Sequence, residues 1–182
     1  MDELRNEATT GINGVRIIFN KVVKDERGVF ADLAEEQNPL FTAGLKHLHA
    51  SIAIKKGVAR GCHYHYRLRE TFYILAGTGL CILHDFRKES PTAGKTYAVI
   101  LGYEKPKETT ELPVYTITEG TLPELIIPPM VYHGFWPLTE EKLVLVGGGT
   151  HAYDPEDYAR PDLKEVPSAT EILRRHNIET QT

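Results

Sequence analysis

The spacing of the apolar runs limits most strongly what this chain can become. VRIIFNKVV (15–23), HASIAIKK (49–56), TFYILAG (71–77), GLCILHDFR (79–87), KTYAVILG (95–102), ELIIPPMVYHGFWPL (124–138) and KLVLVGGG (142–149) are short and rich in β-branched and aromatic residues. Gly, Pro, Asp and Asn punctuate them. Each is strand length, and several alternate apolar with polar residues, the period of a strand with one buried face. Such runs, with few helical stretches between them, predict an all-β sandwich or barrel.

A chain of 182 residues fits one domain of this kind. The barrel is expected over about 15–155, residues 1–14 forming a loose or exchanged N-terminal arm. A short helical tail is expected over 168–178. There SATEILRRHNI places Ser168 and Glu171 at capping-box spacing, and Arg174, Arg175 and His176 where the helix dipole favours cations. DLAEEQNPLF (32–41) is a second helical candidate, stopped by Pro39, and KPKETTELP (105–113) reads as a polar loop between strands.

Composition serves mainly to exclude. A net charge of -4 argues against a general nucleic-acid binder, though a few local arginines can still hold a small anion. No apolar run reaches the length of a membrane span, so no membrane partner is expected. MDELRNEATTGING lacks the apolar core of a signal peptide, and the cytoplasm is the expected compartment. Cys62 and Cys81 form no CxxC pair, and both are expected as reduced thiols.

The chemistry concentrates in GVARGCHYHYRLRETFYILAGTG (57–79). On a strand His63 and His65 share one face, while Cys62 and Tyr64 take the other. Glu70 follows a short turn and opens the next strand, from which its carboxylate can swing back toward the pair. In PPMVYHGF, His133 starts a distant strand-like run and can supply a further ligand. Imidazoles facing a carboxylate suit a divalent metal such as zinc, iron, manganese or nickel. The competing reading is a polar strand face that happens to carry histidines.

The pattern from Gly57 through His63, His65 and Glu70 to Gly77 resembles the first motif of the cupin superfamily. Pro128 to His133 resembles the second in looser form, with Met130 at its usual Gly and Pro137 at its usual Asn. The resemblance implies a cupin fold, a double-stranded β-helix or jelly-roll barrel, and a metal held by His63, His65, Glu70 and His133. Further blocks resemble the dTDP-4-dehydrorhamnose 3,5-epimerase family, which acts on nucleotide-linked 4-keto sugars. They are DERGVFAD (25–32), VARGCHY (58–64), DFRKESPTAGK (85–95), IPPMVYHGF (127–135) and YDPED (153–157). This resemblance implies substrate contacts from Arg27, Phe30, Asp32 and Arg60, and a homodimer with exchanged N-terminal strands.

The departures are as informative. The family's histidine base is His63, but its following Gln is His65, its enolate-stabilising Lys is Glu70, and its tyrosine acid falls near Gly147. A Lys replaced by a cation-holding Glu points to a metal doing the lysine's electrostatic work. Proton transfer then needs another group, for which Tyr132, Tyr73, Tyr97 and His151 are candidates. The expectation is a metal-dependent sugar or nucleotide-sugar isomerase or epimerase working beside a carbonyl. The alternatives are a metal-dependent cupin dioxygenase and a non-catalytic sugar- or metabolite-binding cupin.

Overall fold

The computed structural model describes residues 6–33, 38 and 42–179. The apolar runs form strands where their period requires them: β1 (Glu7–Thr9), β2 (Arg16–Asp25), β3 (Gly28–Ala31), β4 (His47–Ala53), β5 (Arg60–His65), β6 (Glu70–Ala76), β7 (Thr78–Asp85), β8 (Thr96–Gly102) and β9 (Val114–Thr116). The run at 124–138 divides into β10 (Thr121–Ile127) and β11 (Val131–Pro137), because Pro128 and Pro129 have no N–H to donate to a ladder. β12 (Leu143–Gly149), β13 (Tyr158–Ala159) and helix α1 (Ala169–Arg175) follow.

The strands form two sheets. One has the order β1-β2-β10-β6-β12-β4, with β3 also on β2; the other runs β13-β5-β11-β7-β8-β9. Ladders are antiparallel except for the parallel pair β8 and β9. This is the expected jelly-roll barrel. Apolar residues of both sheets, among them Ile17, Phe72, Leu83, Val99, Leu125 and Phe135, meet in a buried cluster between them.

The second sheet is covered on its outer face as well. Leu80, Ile82, Ile100, Tyr132 and Trp136 pack there beneath Val166, Ala169 and Leu173 of the tail. That explains why β7 and β11 are buried along their whole length. Alternation still decides which layer each residue joins: Cys81 and Leu83 face the barrel, Leu80 and Ile82 the helix.

Some expectations need correction. Of the stretch read as an arm, Glu7–Thr9 pairs with β2 of the same chain and Ile12 is buried in the core. The helical tail forms, but Ser168 does not cap it: its φ is 64° and its side chain makes no capping hydrogen bond. The capping box lies upstream, where Asp162 and Glu165 close a single turn of 3-10 helix. Most of the helical candidate at 32–41 lies outside the described residues. Both cysteines are free thiols, and no helix among the described residues is long and apolar enough to cross a membrane.

Candidate functional site

The site is built around an irregularity in β5. The ladder to β11 pairs His133 with His63 and then Gly134 with Gly61, leaving Cys62 as an extra residue. Gly61 and Cys62 take φ of 77° and 59° to make this bulge. A Cβ on Gly61 would stand 2.9 Å from the His133 carbonyl oxygen, so glycine lets the two strands close at this point. Cys62 and Tyr64 turn outward against the tail cluster, and His63 and His65 turn inward.

A cavity of about 400 Å³ opens between the sheets at this end of the barrel. His63, His65 and His133 come from one sheet, and Glu70, the first residue of β6, comes from the other. One ligand-type atom from each lies within 4.8 Å of the others. Glu70 is 4% exposed and His133 1%, so the two most buried members are a carboxylate and an imidazole facing each other.

Each imidazole is aimed by its own backbone partner. Nδ1 of His63 meets the Gly61 carbonyl at 3.1 Å, Nδ1 of His65 the Asp157 carbonyl at 3.2 Å, and Nδ1 of His133 the Val131 carbonyl at 3.3 Å. A neutral ring that donates from Nδ1 presents a bare lone pair at Nε2. Nε2 of His65 and of His133 lie 3.3 and 3.2 Å from Glu70 Oε2. Glu70 Oε2 and His133 Nε2 are nevertheless buried polar atoms with no hydrogen-bond partner. Lone pairs gathered around a buried carboxylate ask for a cation, and three imidazoles with a carboxylate are donors a first-row divalent metal accepts.

The protonation equilibria agree with such a donor set. Burial, reinforced by His133 and His65, pushes His63 down to about 3. Burial likewise lowers His133. For Glu70, burial acts upward, but the surrounding His65, His133 and His63 outweigh it and hold the carboxyl below its ordinary value. His65 is the exception: burial opposes its charging, yet Glu70 and Asp157 together shift it upward.

Of the residues expected to bind substrate, Arg60 lines the cavity, its Nε donating to Ser51 Oγ at 2.8 Å. Arg27 and Phe30 do not. They sit on the β2–β3 hairpin, in a separate surface hollow with Val23 and Asp25, and Phe30 is 63% exposed. Asp32 also lies outside the cavity lining.

The expected acid–base tyrosines are turned away by alternation. Tyr132 precedes His133 and so enters the outer cluster; Tyr73 follows the cavity residue Phe72 and donates to the Leu33 carbonyl on the far face. Tyr97 packs against the inter-sheet core, and His151 is exposed beside Thr150. None of the four lines the cavity.

Several lining residues escaped sequence reasoning: His47, His49, Asp157, Tyr158 and Arg160. His47 and His49 carried the same alternate-position signal as His63 and His65. Asp157 is buried, and its carboxylate accepts from the backbone N–H of Arg67 and Leu68, which fixes the turn that delivers Glu70.

Comparison with known proteins places these features. The model of the dTDP-4-dehydrorhamnose 3,5-epimerase family matches residues 9–165. The chain belongs to this family. A curated relative, the spore coat polysaccharide biosynthesis protein SpsL of Bacillus subtilis (strain 168), is 29% identical over 166 residues, 89% of this chain and 93% of SpsL. The dTDP-4-dehydrorhamnose 3,5-epimerase of Sulfolobus tokodaii is 26% identical with a TM-score of 0.69, covering 89% of this chain and 84% of its own.

The Legionella pneumophila Philadelphia 1 epimerase, solved in complex with dTDP-4-keto-L-rhamnose, is 26% identical with a TM-score of 0.66, covering 85% and 76%. Arg60 and His63, two positions at which the sequence resembles the dTDP-4-dehydrorhamnose 3,5-epimerase family, both lie at the cavity wall, as does Glu70. Family membership brings no metal with it; the case for one rests on the four side chains alone.

Proposed function

We propose that this protein is a nucleotide-sugar epimerase or isomerase that moves a proton on a carbon beside a carbonyl, and that His63, His65, Glu70 and His133 hold a divalent metal ion for that reaction. The observation that carries the reading is the meeting of Arg60 and His63 with the buried cluster in one cavity, in a chain that matches the epimerase family over 9–165. The substrate class follows from the cavity's cations. Arg60 and Arg160 both line it, and the Arg160 guanidinium lies 4.9 Å from the centre of the Tyr158 ring. Guanidinium forks suit the oxygens of a diphosphate.

A divalent ion at the cluster would supply Lewis-acid polarisation of a carbonyl oxygen. The chain's own residues prepare the site. The carbonyls of Gly61, Val131 and Asp157 fix the imidazoles, and Phe72, Phe135 and Leu145 keep part of the wall apolar. Exclusion of water there strengthens every charge interaction with the sugar. A cytoplasmic setting fits the free thiols of Cys62 and Cys81.

We also propose a homodimer. Arg27 and Phe30 lie outside the chain's own cavity, so a role for them in substrate binding requires the cavity of a second copy.

Metal analysis of protein purified without added metal, then incubation with dTDP-4-keto-L-rhamnose in deuterated water, tests the reading. Near-stoichiometric metal and deuterium at a carbon beside the carbonyl are expected. Oxygen uptake without deuterium incorporation would favour a dioxygenase and overturn it.

A further inference from the structure

Two cavity histidines belong to none of the contacts with the cluster. His47 and His49 occupy alternate positions of β4, both face inward, and their rings stack with centroids 4.8 Å apart. Across the ladder from His49 stands Gly147 of β12, which on its other side pairs with Phe72 of β6.

Gly147 is not among the residues with positive φ, so its backbone would tolerate a side chain. What excludes one is the imidazole. A Cβ on Gly147 would fall 2.5 Å from Cε1 and Nε2 of His49 and 2.8 Å from Cε1 of Phe72. The missing side chain of β12 is the space in which the His49 ring lies.

The ring rests edge-on against Phe72 at 6.0 Å, and Phe72 in turn packs against His133 at 5.5 Å. Phe72 thus touches both His49 and His133, while the four-residue cluster does not include His49. Within the same cavity there is therefore a second imidazole site, outside the four-residue cluster. His49 Nδ1 is buried without a hydrogen-bond partner, an arrangement that a bound group relieves. Burial also lowers the His49 pKa, which keeps the ring in its proton-accepting form.

We propose that His49 is a catalytic base of this cavity, taking the proton from the substrate carbon beside the carbonyl. This assignment rests on the epimerase reading. The C–H bond breaks, its proton passes to the imidazole, and its electron pair moves through the new C=C bond onto the carbonyl oxygen. The imidazolium exchanges its proton with water in the cavity, and return of a proton to the carbon restores the carbonyl. Nothing is consumed, and the newly bound hydrogen comes from solvent.

The test uses the full chain with dTDP-4-keto-L-rhamnose in deuterated water, and dTDP as a binding probe. His49→Gln should slow deuterium incorporation by roughly 10²- to 10⁴-fold, with dTDP affinity, bound metal and Tm close to those of the native chain. His49→Gly with added imidazole should regain part of the lost exchange, which a merely structural role would not allow. Gly147→Ala, which displaces the ring while keeping the histidine, should also slow exchange.

Exchange in His49→Gln within about threefold of native overturns the role of His49 and leaves the epimerase reading standing. Parallel loss of dTDP binding, or no rescue by imidazole, also assigns His49 a structural part and overturns the proposal. No exchange in the native chain overturns the epimerase reading and the base together.

Discussion

Met130 holds a φ of 60° in the turn between β10 and β11, a conformation that costs a residue with a side chain roughly 1–2 kcal/mol. Its N–H donates to the His65 carbonyl at 2.6 Å, so the turn is tied directly to a site strand. The cupin pattern that the sequence resembles has glycine here, and the backbone explains why. Met130→Gly should stabilise the fold by up to about 1 kcal/mol after the unfolded-state entropy of glycine is subtracted. A rise in the urea midpoint at constant m checks this, and a fall would mean that the methionine side chain outweighs the strain. At the cluster, His65→Ala should cut bound metal roughly tenfold or more while leaving the thermal transition of the metal-free protein nearly unchanged; elemental analysis that still finds one ion per chain would remove His65 from the ligand set. His63 and His65 were legible in the sequence because a strand's period fixes their faces, and Glu70 because it opens the next strand after a short turn. The same period, applied to Tyr132 beside His133 and to Tyr73 beside Phe72, turns both tyrosines away. His49 carried the same alternate-position signal, but the space its ring fills depends on an absent side chain on another strand, Gly147.

Between β7 and β8 the turn is organised by one carboxylate. Asp85 accepts from Arg87 Nε at 2.7 Å and Nη2 at 2.8 Å, from Ser90 Oγ at 2.6 Å and from Thr92 Oγ1 at 2.6 Å. It is 1% exposed. Burial alone would raise its pKa, but these donors hold it well below the ordinary 3.8. The stabilisation is therefore complete above the unfolded-state value and is lost as pH falls toward the folded one. Asp85→Asn should destabilise the neutral protein by about 1–3 kcal/mol and flatten the acid side of its stability profile; a stability–pH curve parallel to the native one would contradict this. The block DFRKESPTAGK was recognisable as a unit, and the Asp85 network supplies a structural reason for its residues. Helix α1 was legible from its composition, but its entry was not. The left-handed Ser168 is imposed by docking of the tail, where Ala169 and Leu173 are fully buried. Leu173→Ala should cost about 2–4 kcal/mol in chemical denaturation, and a loss under 1 kcal/mol would show that the tail is only loosely seated.

For the whole molecule, partnership centres on β4, which ends its sheet and turns Leu48 and Ile52, with Ile54 beyond it, to solvent. An apolar edge of this kind invites pairing. Together with Arg27 and Phe30, stranded on their hairpin, it argues for the proposed homodimer. Sedimentation should give twice the chain mass of 20.5 kDa, and Ile52→Asp should lower it toward one chain; a native monomer at micromolar concentration would contradict the dimer. The all-β barrel was legible because each strand announces itself locally. How the hairpin relates to the cavity was not, since that depends on contacts between residues far apart in sequence. The cluster adds one last property. Three of its side chains ride on one sheet and Glu70 on the other, while no strand ladder joins the two sheets among the described residues. An ion bound at the proposed site would act as a hinge pin: loading it should tighten the mouth of the barrel and slow amide hydrogen exchange on β6 and β11 together, making site occupancy readable from the backbone alone.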